Sequence, residues 1–492
     1  IENICGGTGF YDVLSEGSKI ICLLNCEAAS YGTINFSGNM LYIFKSADGK
    51  IGGTLCEQLE NEGHDITMID NDERAIKELS DAKDVLCIQG NGALYSVQLE
   101  AGVDNCDLFI CCTSKDELNM LCCLLAKKLG AKRTIARVRN PEFDAQLGYV
   151  KEELGLSMGL NPELAAAREI SRLLIFPAAT KLEVFAKGRV ELAEARISEK
   201  GELEGLSLSD IYRSYKIKIL VCAVQRGNEI IIPTGDFQLK AGDRIHLTAP
   251  HEEIEKFFRI IGYEKRKIKN VLVLGGGKIS FYLARLLEKT GMNIKIIESD
   301  YKKCEELNEL LPEATVIHGD GTDHELLIDE GIEFADAFLA LTGIDEENII
   351  VSMYAQSCGV KKVITKVSRD SYVEMADRID LDSVITPKNI VSNNVVAFVR
   401  AMQNSIDRNK VETIYRLLGN KVLALEFIVN EKAKYVDVPL KDLKTKSDAL
   451  IACIVRKRKT IIPDGNTEIK MGDTVIIVTK NMRFSDLSDM LA

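Results

Sequence analysis

The stretch that decides the fold is Asn270-Val-Leu-Val-Leu-Gly-Gly-Gly-Lys-Ile-Ser280. Residues 270–274 form a short apolar run, which is typical of a strand buried on both faces of a parallel sheet. Gly275 and Gly277 then form a turn at which the backbone approaches a bulky group, and the leucine spacing after Ser280 indicates a helix. The sequence therefore predicts a strand, a glycine turn and a helix in direct succession.

A second apolar run ends in an acid at the distance expected of a dinucleotide-binding fold. Ile294–Ile297 precedes Glu298, which lies 21 positions after Gly277 (298 − 277). In such folds a phosphate binds at the helix N-terminus, where N–H groups and the helix dipole favour an anion, and the acid binds the ribose hydroxyls. Ser280 departs from the pattern, because it stands where the third glycine is expected.

A second version of this element lies closer to the start of the chain. Leu41–Phe44 is predicted to be its strand, and Gly49-Lys-Ile-Gly52 its turn and the start of its helix. Asp70 ends the next apolar run, 21 positions after Gly49 (70 − 49). Ala47 replaces the first glycine, which predicts strain in this turn or an error in the sequence.

Residues 1–39 show little periodicity apart from an apolar run at Ile20–Leu24. They also lack the basic flank and the cleavage site of a signal peptide. We interpret them as an upstream extension or an error in the assigned start, outside the fold, with Met40 as the natural start.

The order of motifs occurs twice along the chain. Asn119 and Asn348 are 229 positions apart (348 − 119), and Pro233 and Pro463 are 230 apart (463 − 233). Near-constant offsets indicate a tandem duplication of one two-domain unit. The predicted fold class is α/β, with two Rossmann-like doubly wound parallel-sheet domains, each followed by a small α+β C-lobe. The predicted boundaries are 40–175 and 268–403 for the Rossmann-like domains, and 180–263 and 408–492 for the C-lobes.

The residues that follow the strands of each Rossmann-like domain should line one crevice, because parallel strands present their carboxyl ends at one edge. Acids for a ribose and basic groups for phosphates indicate an adenine nucleotide or NAD. No arginine follows either acid at once, so NAD is favoured over NADP. The first predicted set is Gly49, Lys50, Ile51, Gly52, Asp70, Asn91, Thr113, Arg137 and Arg139. The second is Gly275, Gly277, Lys278, Ile279, Glu298, Asp320, Thr342 and Lys366.

Two further pairs of residues have alternative roles. Asn119 and Asn348 stand near the start of helices that open with acids, so they either cap those helices or contact a ligand. Arg137 and Arg139 alternate along one strand and face the same side. At the carboxyl end of a strand over a nucleotide crevice, phosphate contact is favoured over a surface ion pair.

Composition excludes several classes of protein. A net charge of −12 disfavours a nucleic-acid partner, since phosphate binding needs a basic face. The fourteen cysteines contain no Cys-x-x-Cys spacing, which predicts neither a zinc ribbon nor a thioredoxin-type site, and the thiols at 111, 112, 122 and 123 are expected to be buried. Such thiols suit a reducing cytosol. No metal-ligand spacing of histidines and no apolar run long enough to span a membrane is present.

The repeated unit carries a cofactor crevice without a recurring catalytic group. A dehydrogenase needs a proton-transfer residue that faces the nicotinamide, and none recurs in both C-lobes. The sequence therefore favours sensing, in which ligand binding shifts the orientation of domains. An NAD-dependent oxidoreductase with duplicated domains is the alternative hypothesis, and a scaffold that binds no ligand is a third.

Three phrases of the first half resemble the TrkA family of RCK/KTN regulatory subunits of bacterial Trk potassium uptake systems. They are Gly49-Lys-Ile-Gly52, Asn119-Met-Leu with Ala126-Lys-Lys-Leu-Gly-Ala131, and Ile135-Ala-Arg-Val-Arg-Asn-Pro141. The resemblance covers residues 40–492.

The resemblance implies a non-enzymatic cytoplasmic subunit, peripheral on the inner face of the plasma membrane. It implies a homo-oligomeric ring, often a tetramer, docked on a membrane potassium transporter of the Trk type. NAD, NADH, ATP or ADP bound in the Rossmann-like domains would bias the gate. It also implies a phosphate-binding role for Arg137 and Arg139. In the second domain Lys366 and Ser368 hold these places, so the two domains can bind the same ligand or different ones.

Overall fold

The computed structural model describes two compact units, which span Ile1–Asn161 and Pro162–Ala492. The described residues are 20–23, 40–41, 50–177, 179–185, 190–197, 203–227, 229–260, 268–379, 381, 383–404, 413–417, 421–430, 433–446, 448–457, 459–480 and 486–491.

The first unit is the first Rossmann-like domain, a parallel sheet with connecting helices. Its described elements are β1 (Ile20–Leu23), β2 (Met40–Leu41), α1 (Lys50–Glu60), β3 (Asp65–Asp70), α2 (Glu73–Ala82), β4 (Leu86–Gln89), α3 (Tyr95–Glu100), β5 (Leu108–Cys111), α4 (Asp116–Leu129), β6 (Arg133–Arg137), α5 (Pro141–Val150) and β7 (Met158–Leu160). Strands β3, β1, β5, β6 and β7 are successive parallel neighbours, and β2 and β4 also pair with β3. Strand β5 is buried throughout, as its apolar sequence predicts.

The start of the chain differs from the sequence-based interpretation. Strand β1 pairs with Ile66–Ile69 on one side and with Leu108–Cys111 on the other. The structure thus differs from the interpretation of residues 1–39 as an extension outside the fold, because the apolar run Ile20–Leu23 has the character that a strand between two parallel neighbours requires. Met40 and Leu41 pair with the start of β3. The remainder of the predicted Leu41–Phe44 strand, with Ala47 and Gly49, lies outside the described residues.

The second Rossmann-like domain lies in the second unit. Its elements are β13 (Asn270–Leu274), α9 (Lys278–Leu287), β14 (Asn293–Glu298), α10 (Tyr301–Leu310), β15 (Thr315–His318), α11 (His324–Asp329), β16 (Ala337–Ala340), α12 (Asp345–Ser357), β17 (Lys362–Lys366), α13 (Asp370–Arg378), β18 (Ser383–Ile385) and α14 (Pro387–Asn404). All strand pairs are parallel, in the order β15-β14-β13-β16-β17-β18. This is the 3-2-1-4-5-6 order of a dinucleotide-binding fold, and it confirms the predicted fold class.

The remaining elements of the second unit form two C-lobes of the same design. The first follows the connecting helix α6 (Pro162–Ile175) and comprises β8 (Lys181–Phe185), β9 (Val190–Arg196), α7 (Leu208–Tyr215), β10 (Leu220–Arg226), β11 (Glu229–Ile231), β12 (Arg244–Ala249) and α8 (His251–Ile260). The second comprises β19 (Thr413–Leu417), β20 (Val422–Ile428), β21 (Ala449–Arg456), β22 (Lys459–Ile461) and β23 (Thr474–Thr479). Their antiparallel sheets have equivalent strand orders, β11-β10-β12-β9-β8 and β22-β21-β23-β20-β19.

One ion pair with a buried aspartate and a partly exposed arginine recurs in both C-lobes. In the second, the carboxylate of Asp473 accepts hydrogen bonds from Nε and Nη2 of Arg456, at 2.8 and 2.7 Å, and from the N–H of Lys470 at 2.8 Å. In the first, Arg226 binds Asp243 at the same two distances. The pair joins the β21–β22 hairpin to the turn before β23, and the β10–β11 hairpin to the turn before β12, so it stabilises each antiparallel sheet.

We expect Asp473→Ala to destabilise the second C-lobe by about 3 kcal/mol, because the charge-assisted hydrogen bonds of Arg456 are lost and the Lys470 N–H loses its partner. Chemical denaturation of the full chain measures the change. Asp442→Ala removes an exposed carboxylate and is the matched control, with an expected change within about 0.5 kcal/mol. Equal effects of the two substitutions would contradict this role of the ion pair.

Candidate functional site

The glycine turn of the second Rossmann-like domain is closed on one side and open on the other. Gly275 follows β13 with φ +97°, and a Cβ there would lie 3.1 Å from backbone atoms of Leu341 and Thr342. Gly277 is the N-cap of α9 with φ −74°, and a Cβ on it would meet nothing within 4 Å. Space is therefore left in front of the α9 N-terminus, where a phosphate would bind.

Ser280 fits the position of the third glycine. It lies in the first turn of α9, is buried, and donates a hydrogen bond from Oγ to the carbonyl of Gly275. Ser280 therefore closes the turn by a side-chain hydrogen bond, whereas a glycine at this position would allow only close packing of the helix on the strand. In the first domain the corresponding Gly52 is also buried.

The two predicted ribose acids end equivalent strands and are both buried. Glu298 accepts the N–H of Gly276 on Oε2 at 2.8 Å and the N–H of Asp300 on Oε1 at 2.9 Å. Asp70 accepts the N–H of Asp72 on Oδ1 at 3.0 Å. The Glu298 carboxylate is thus fixed directly against the glycine turn.

A cluster of three residues joins two strand ends in the first domain. Asn119 Oδ1 accepts the N–H and the hydroxyl of Thr113, at 2.7 and 2.6 Å. Asn119 Nδ2 donates to the carbonyls of Thr113 and Arg137, at 3.1 and 2.8 Å. The Arg137 guanidinium also donates to the Thr113 carbonyl through Nη2. The cluster therefore ties the end of β6 to the loop after β5.

The second domain repeats this cluster with a lysine in place of the arginine. Asn348 Oδ1 accepts the N–H and the hydroxyl of Thr342, at 2.9 and 2.8 Å, and Nδ2 donates to the carbonyls of Thr342 and Lys366, at 3.2 and 3.0 Å. Lys366 Nζ donates to the Thr342 carbonyl at 2.7 Å. Arg137 and Lys366 thus bind equivalent carbonyls in the two domains, those of Thr113 and Thr342.

The structure shows that the two asparagines do not cap their helices. The N-cap residues of α4 and α12 are Lys115 and Ile344, and neither makes a side-chain cap bond. Asn119 and Asn348 are the fourth residues of these helices and are fully buried. Their amides bond strand ends, because the helices pack where parallel strands β5 and β6, or β16 and β17, end side by side.

A second pair of residues that hold the strand ends, Asp116 and Asp345, was missed from the sequence. Asp116 Oδ2 accepts the N–H groups of Arg139 and Asn140, both at 2.7 Å. Asp345 accepts the N–H groups of Ser368 and Arg369, both at 2.9 Å. The motif Asp-Glu-x-Asn, at 116–119 and 345–348, was the available signal.

The basic residues at the ends of β6 and β17 differ in their neighbours. Arg139 Nη2 donates to the carbonyl of Ser114 at 2.6 Å, and its Nε lies 3.7 Å from Asp116. In the second domain Ser368 holds this place. The next residue, Arg369, lies 3.0 Å from Glu346 and 3.2 Å from the hydroxyl of Tyr372. Of the two Rossmann-like domains, only the first therefore has two arginines bonded to the loop after β5, at Thr113 and Ser114.

The remaining predicted residues have local roles. Asn91 accepts the N–H of Ala93 at 2.8 Å, and Asp320 accepts the N–H and hydroxyl of Thr322 at 2.9 and 2.8 Å. The bonds from Thr322 lower the pKa of Asp320. The side chains of Ile51 and Ile279 are buried, so only their N–H groups can serve a ligand, whereas Lys278 is exposed at the start of α9. Lys50 begins α1, and Gly49 lies outside the described residues.

The cysteines follow the sequence-based expectation. Cys111, Cys112, Cys122 and Cys123 are buried, and each of the eleven cysteines from Cys56 to Cys453 is a free thiol. Over the same ranges, no three His, Cys, Asp or Glu side chains are placed to hold a metal ion. Nor do those ranges contain a helix with the length and apolarity needed to cross a membrane.

We expect Cys56 to resist alkylation in the folded chain. Burial raises the pKa of its thiol from 9.0 to about 12. At pH 8 the thiolate fraction should therefore fall about a thousandfold. Mass spectrometry after iodoacetamide treatment measures the rate, with the urea-unfolded chain as the control. Equal labelling rates in the two states would contradict the expectation.

Family models match both halves of the chain. The TrkA-N domain model matches residues 48–156 and 271–387, and the TrkA-C domain model matches 192–262 and 424–492. The "Trk system potassium uptake protein TrkA homolog" of Archaeoglobus fulgidus is 33% identical over 432 residues, which cover 88% of this chain and 95% of that protein. The chain belongs to the TrkA family. The "Trk system potassium uptake protein TrkA" of Halomonas elongata is 31% identical over 441 residues, covering 88% and 95%.

Solved structures share the fold of this TrkA family chain. The "GsuK RCK domain" has a TM-score of 0.59 at 16% identity, covering 94% of this chain and 93% of that one. The "GsuK channel bound to NAD" has a TM-score of 0.58 at 14% identity, covering 95% and 78%. The predicted family and tandem fold are thus confirmed.

Proposed function

We propose that the chain is a nucleotide-sensing regulatory subunit that gates a membrane potassium transporter of the Trk type. The observation that carries this proposal is the second-domain crevice, in which the open N-terminus of α9 lies beside the buried carboxylate of Glu298. Relatives named as Trk potassium uptake proteins support the transport role.

The ligand would be one of four adenine nucleotides: NAD, NADH, ATP or ADP. Its phosphates would contact the N–H groups after Gly277 and the ammonium of Lys278. A ribose hydroxyl would donate to Glu298, because each carboxylate oxygen has the capacity to accept a further hydrogen bond. In the first domain Lys50, Gly52 and Asp70 would serve likewise. NAD bound to the similar GsuK channel supports a dinucleotide as one ligand.

The arginine pair would extend the first-domain site. Arg137 and Arg139 donate to carbonyls of the Thr113–Ser114 loop, which places both guanidinium groups at the edge where the parallel strands end. Guanidinium groups bind phosphate oxygens in a planar, bidentate manner. Lys366, the second-domain counterpart of Arg137, would supply a single ammonium.

Packing in the second unit provides a route from ligand to C-lobe. Helix α9, which begins at the glycine turn, packs against α6, the helix that leads into the first C-lobe. Ile279 and Leu283 of α9 share one core with Ile170 and Leu173 of α6. A nucleotide that prefers one position of α9 would therefore shift the population of C-lobe orientations. We propose that this shift acts on the transporter through a homo-oligomeric ring, a tetramer on the inner face of the membrane, without catalysis.

Calorimetric titration of the full chain with ATP, ADP, NAD and NADH tests the proposal. Arg137→Ala with Arg139→Ala should lose one of two binding events per chain. The double variant Arg74→Ala and Arg378→Ala removes the same charge from exposed positions and should bind as wild type does. Thermal unfolding of each variant controls for misfolding.

Two results would overturn the proposal. One is a wild-type chain that binds none of the four nucleotides. The other is NADH oxidation with a panel of carbonyl compounds, which would favour the oxidoreductase. If binding is found, potassium flux through a reconstituted Trk-type transporter should change with the nucleotide added.

A further inference from the structure

An aromatic pair lies beside the Glu298 carboxylate in the second Rossmann-like domain. Tyr301 is the first residue of α10, three positions after Glu298, and is 59% exposed. His318 ends β15 and pairs with Glu298 across the parallel ladder. The ring centroids of Tyr301 and His318 are 5.4 Å apart at an interplanar angle of 89°.

The order of strands places this pair where a nucleotide base would lie. The glycine turn follows β13, Glu298 ends β14, and His318 ends β15, which is the next strand outward. A nucleotide with its phosphates at the turn and its ribose on Glu298 therefore extends its base toward β15. The base is attached directly to the ribose, so it comes to the Tyr301–His318 side of the carboxylate.

The histidine ring is held in position by the chain around the acid. His318 Nε2 lies 3.1 Å from the carbonyl of Ser299, the residue after Glu298. The ring of Tyr301 is set against it edge to face. The two rings thus form a solvent-accessible, perpendicular aromatic pair beside the ribose acid, and a base can stack on the exposed ring face of Tyr301.

The first Rossmann-like domain lacks this surface. Glu73 begins α2 as Tyr301 begins α10, and Gln89 ends β4 as His318 ends β15. Both first-domain residues are exposed. A carboxylate and an amide offer hydrogen bonds but no ring on which a base can stack.

We propose that Tyr301 and His318 form a stacking platform for the purine base of the second-domain nucleotide, and that the first domain has no such platform. The inference rests on the proposed nucleotide-sensing function and assigns the two domains different base selectivity. Stacking depends on ring area, so the second domain should prefer a purine over a pyrimidine nucleotide.

ADP and CDP titrations of the full chain test the platform. The Arg137→Ala and Arg139→Ala background isolates the second domain, which should bind one ADP per chain, with CDP weaker. In that background Tyr301→Ala should raise the Kd for ADP by roughly tenfold and reduce the ADP preference over CDP. Tyr301→Phe keeps the ring and should bind as the background does. Tyr301→Glu with His318→Gln installs the first-domain residues and should reproduce the loss.

The outcomes separate this inference from the function on which it rests. A wild-type chain that binds no nucleotide overturns both. Loss of all ADP binding in the arginine background, with wild type binding, overturns the platform, because the second domain then holds no nucleotide. An unchanged Kd for ADP in Tyr301→Ala, or an equal loss in Tyr301→Phe, overturns stacking and leaves nucleotide sensing in place. The Tyr301 variants should unfold at the same temperature as the arginine background, since Tyr301 is exposed.

Discussion

Truncation of Asn119 to alanine is expected to lower the stability of the first Rossmann-like domain by about 3 kcal/mol, because it leaves buried backbone groups without their partners. The N–H of Thr113 and the carbonyl of Arg137 both bond to the Asn119 amide, and both residues are buried. An alanine replaces none of these bonds and leaves a small cavity beside them. Asn348→Ala should have the same effect in the second domain.

Hydrogen exchange of the full chain, read by mass spectrometry, localises the effect. In Asn119→Ala, exchange should accelerate in peptides that cover the ends of β5 and β6, while the second unit is unchanged. Asn105→Ala removes an exposed asparagine of the same domain and is the matched control. Equal exchange in the two variants would contradict the role assigned to the buried amide.

Asn119→Asp gives this prediction a pH dependence. The aspartate keeps an oxygen that accepts from Thr113. Its second oxygen replaces the amide nitrogen that donated to the carbonyls of Thr113 and Arg137, in a fully buried position. Burial and these acceptors raise the pKa of the new carboxyl above its unfolded value, because they favour the protonated donor. The stability of the variant relative to wild type should therefore be greatest at low pH and fall as pH rises through that pKa. Denaturation at pH 5 and pH 8 checks the sign.

The sequence predicted the elements of the fold better than it predicted their contacts. Periodicity and glycine spacing located β13, the start of α9 and β14 in the second domain. These features are local, since each depends on residues within one element. The Asn119 bonds are not local, because they join a helix to strand ends up to 18 residues away.

The duplication of the sequence helps to identify residues with non-local contacts, but it led to a wrong central strand for the first domain. The repeated Asp-Glu-x-Asn motif marks residues that hold the strand ends in both domains, although its spacing alone did not separate capping from a bond between strands. Conversely, counting the first domain from Met40 assigned its central strand to residues near Leu41. The structure places Ile20–Leu23 between β3 and β5. A four-residue apolar run outside the repeat has no periodicity long enough to identify it.

Two glycine substitutions in the second-domain turn should separate stability from ligand binding. Gly275→Ala is expected to destabilise the domain by about 2–3 kcal/mol, since alanine at positive φ is strained and its Cβ would lie 3.1 Å from the backbone of Leu341 and Thr342. The backbone at Thr342 cannot move away easily, because its N–H and its carbonyl are both hydrogen-bonded to the Asn348 side chain. Thermal unfolding should show the loss without any ligand.

Gly277→Ala is expected to have the opposite profile. Its φ of −74° suits alanine and its Cβ meets no atom within 4 Å, so the cost is the modest one of alanine at an N-cap, about 1 kcal/mol or less. That Cβ occupies the space in front of the α9 N-terminus, through which a pyrophosphate must approach. In the Arg137→Ala and Arg139→Ala background, ADP affinity should therefore fall at least tenfold. If ADP binds Gly277→Ala as it binds the background, the phosphates do not lie at this turn, and the proposed second-domain site is wrong.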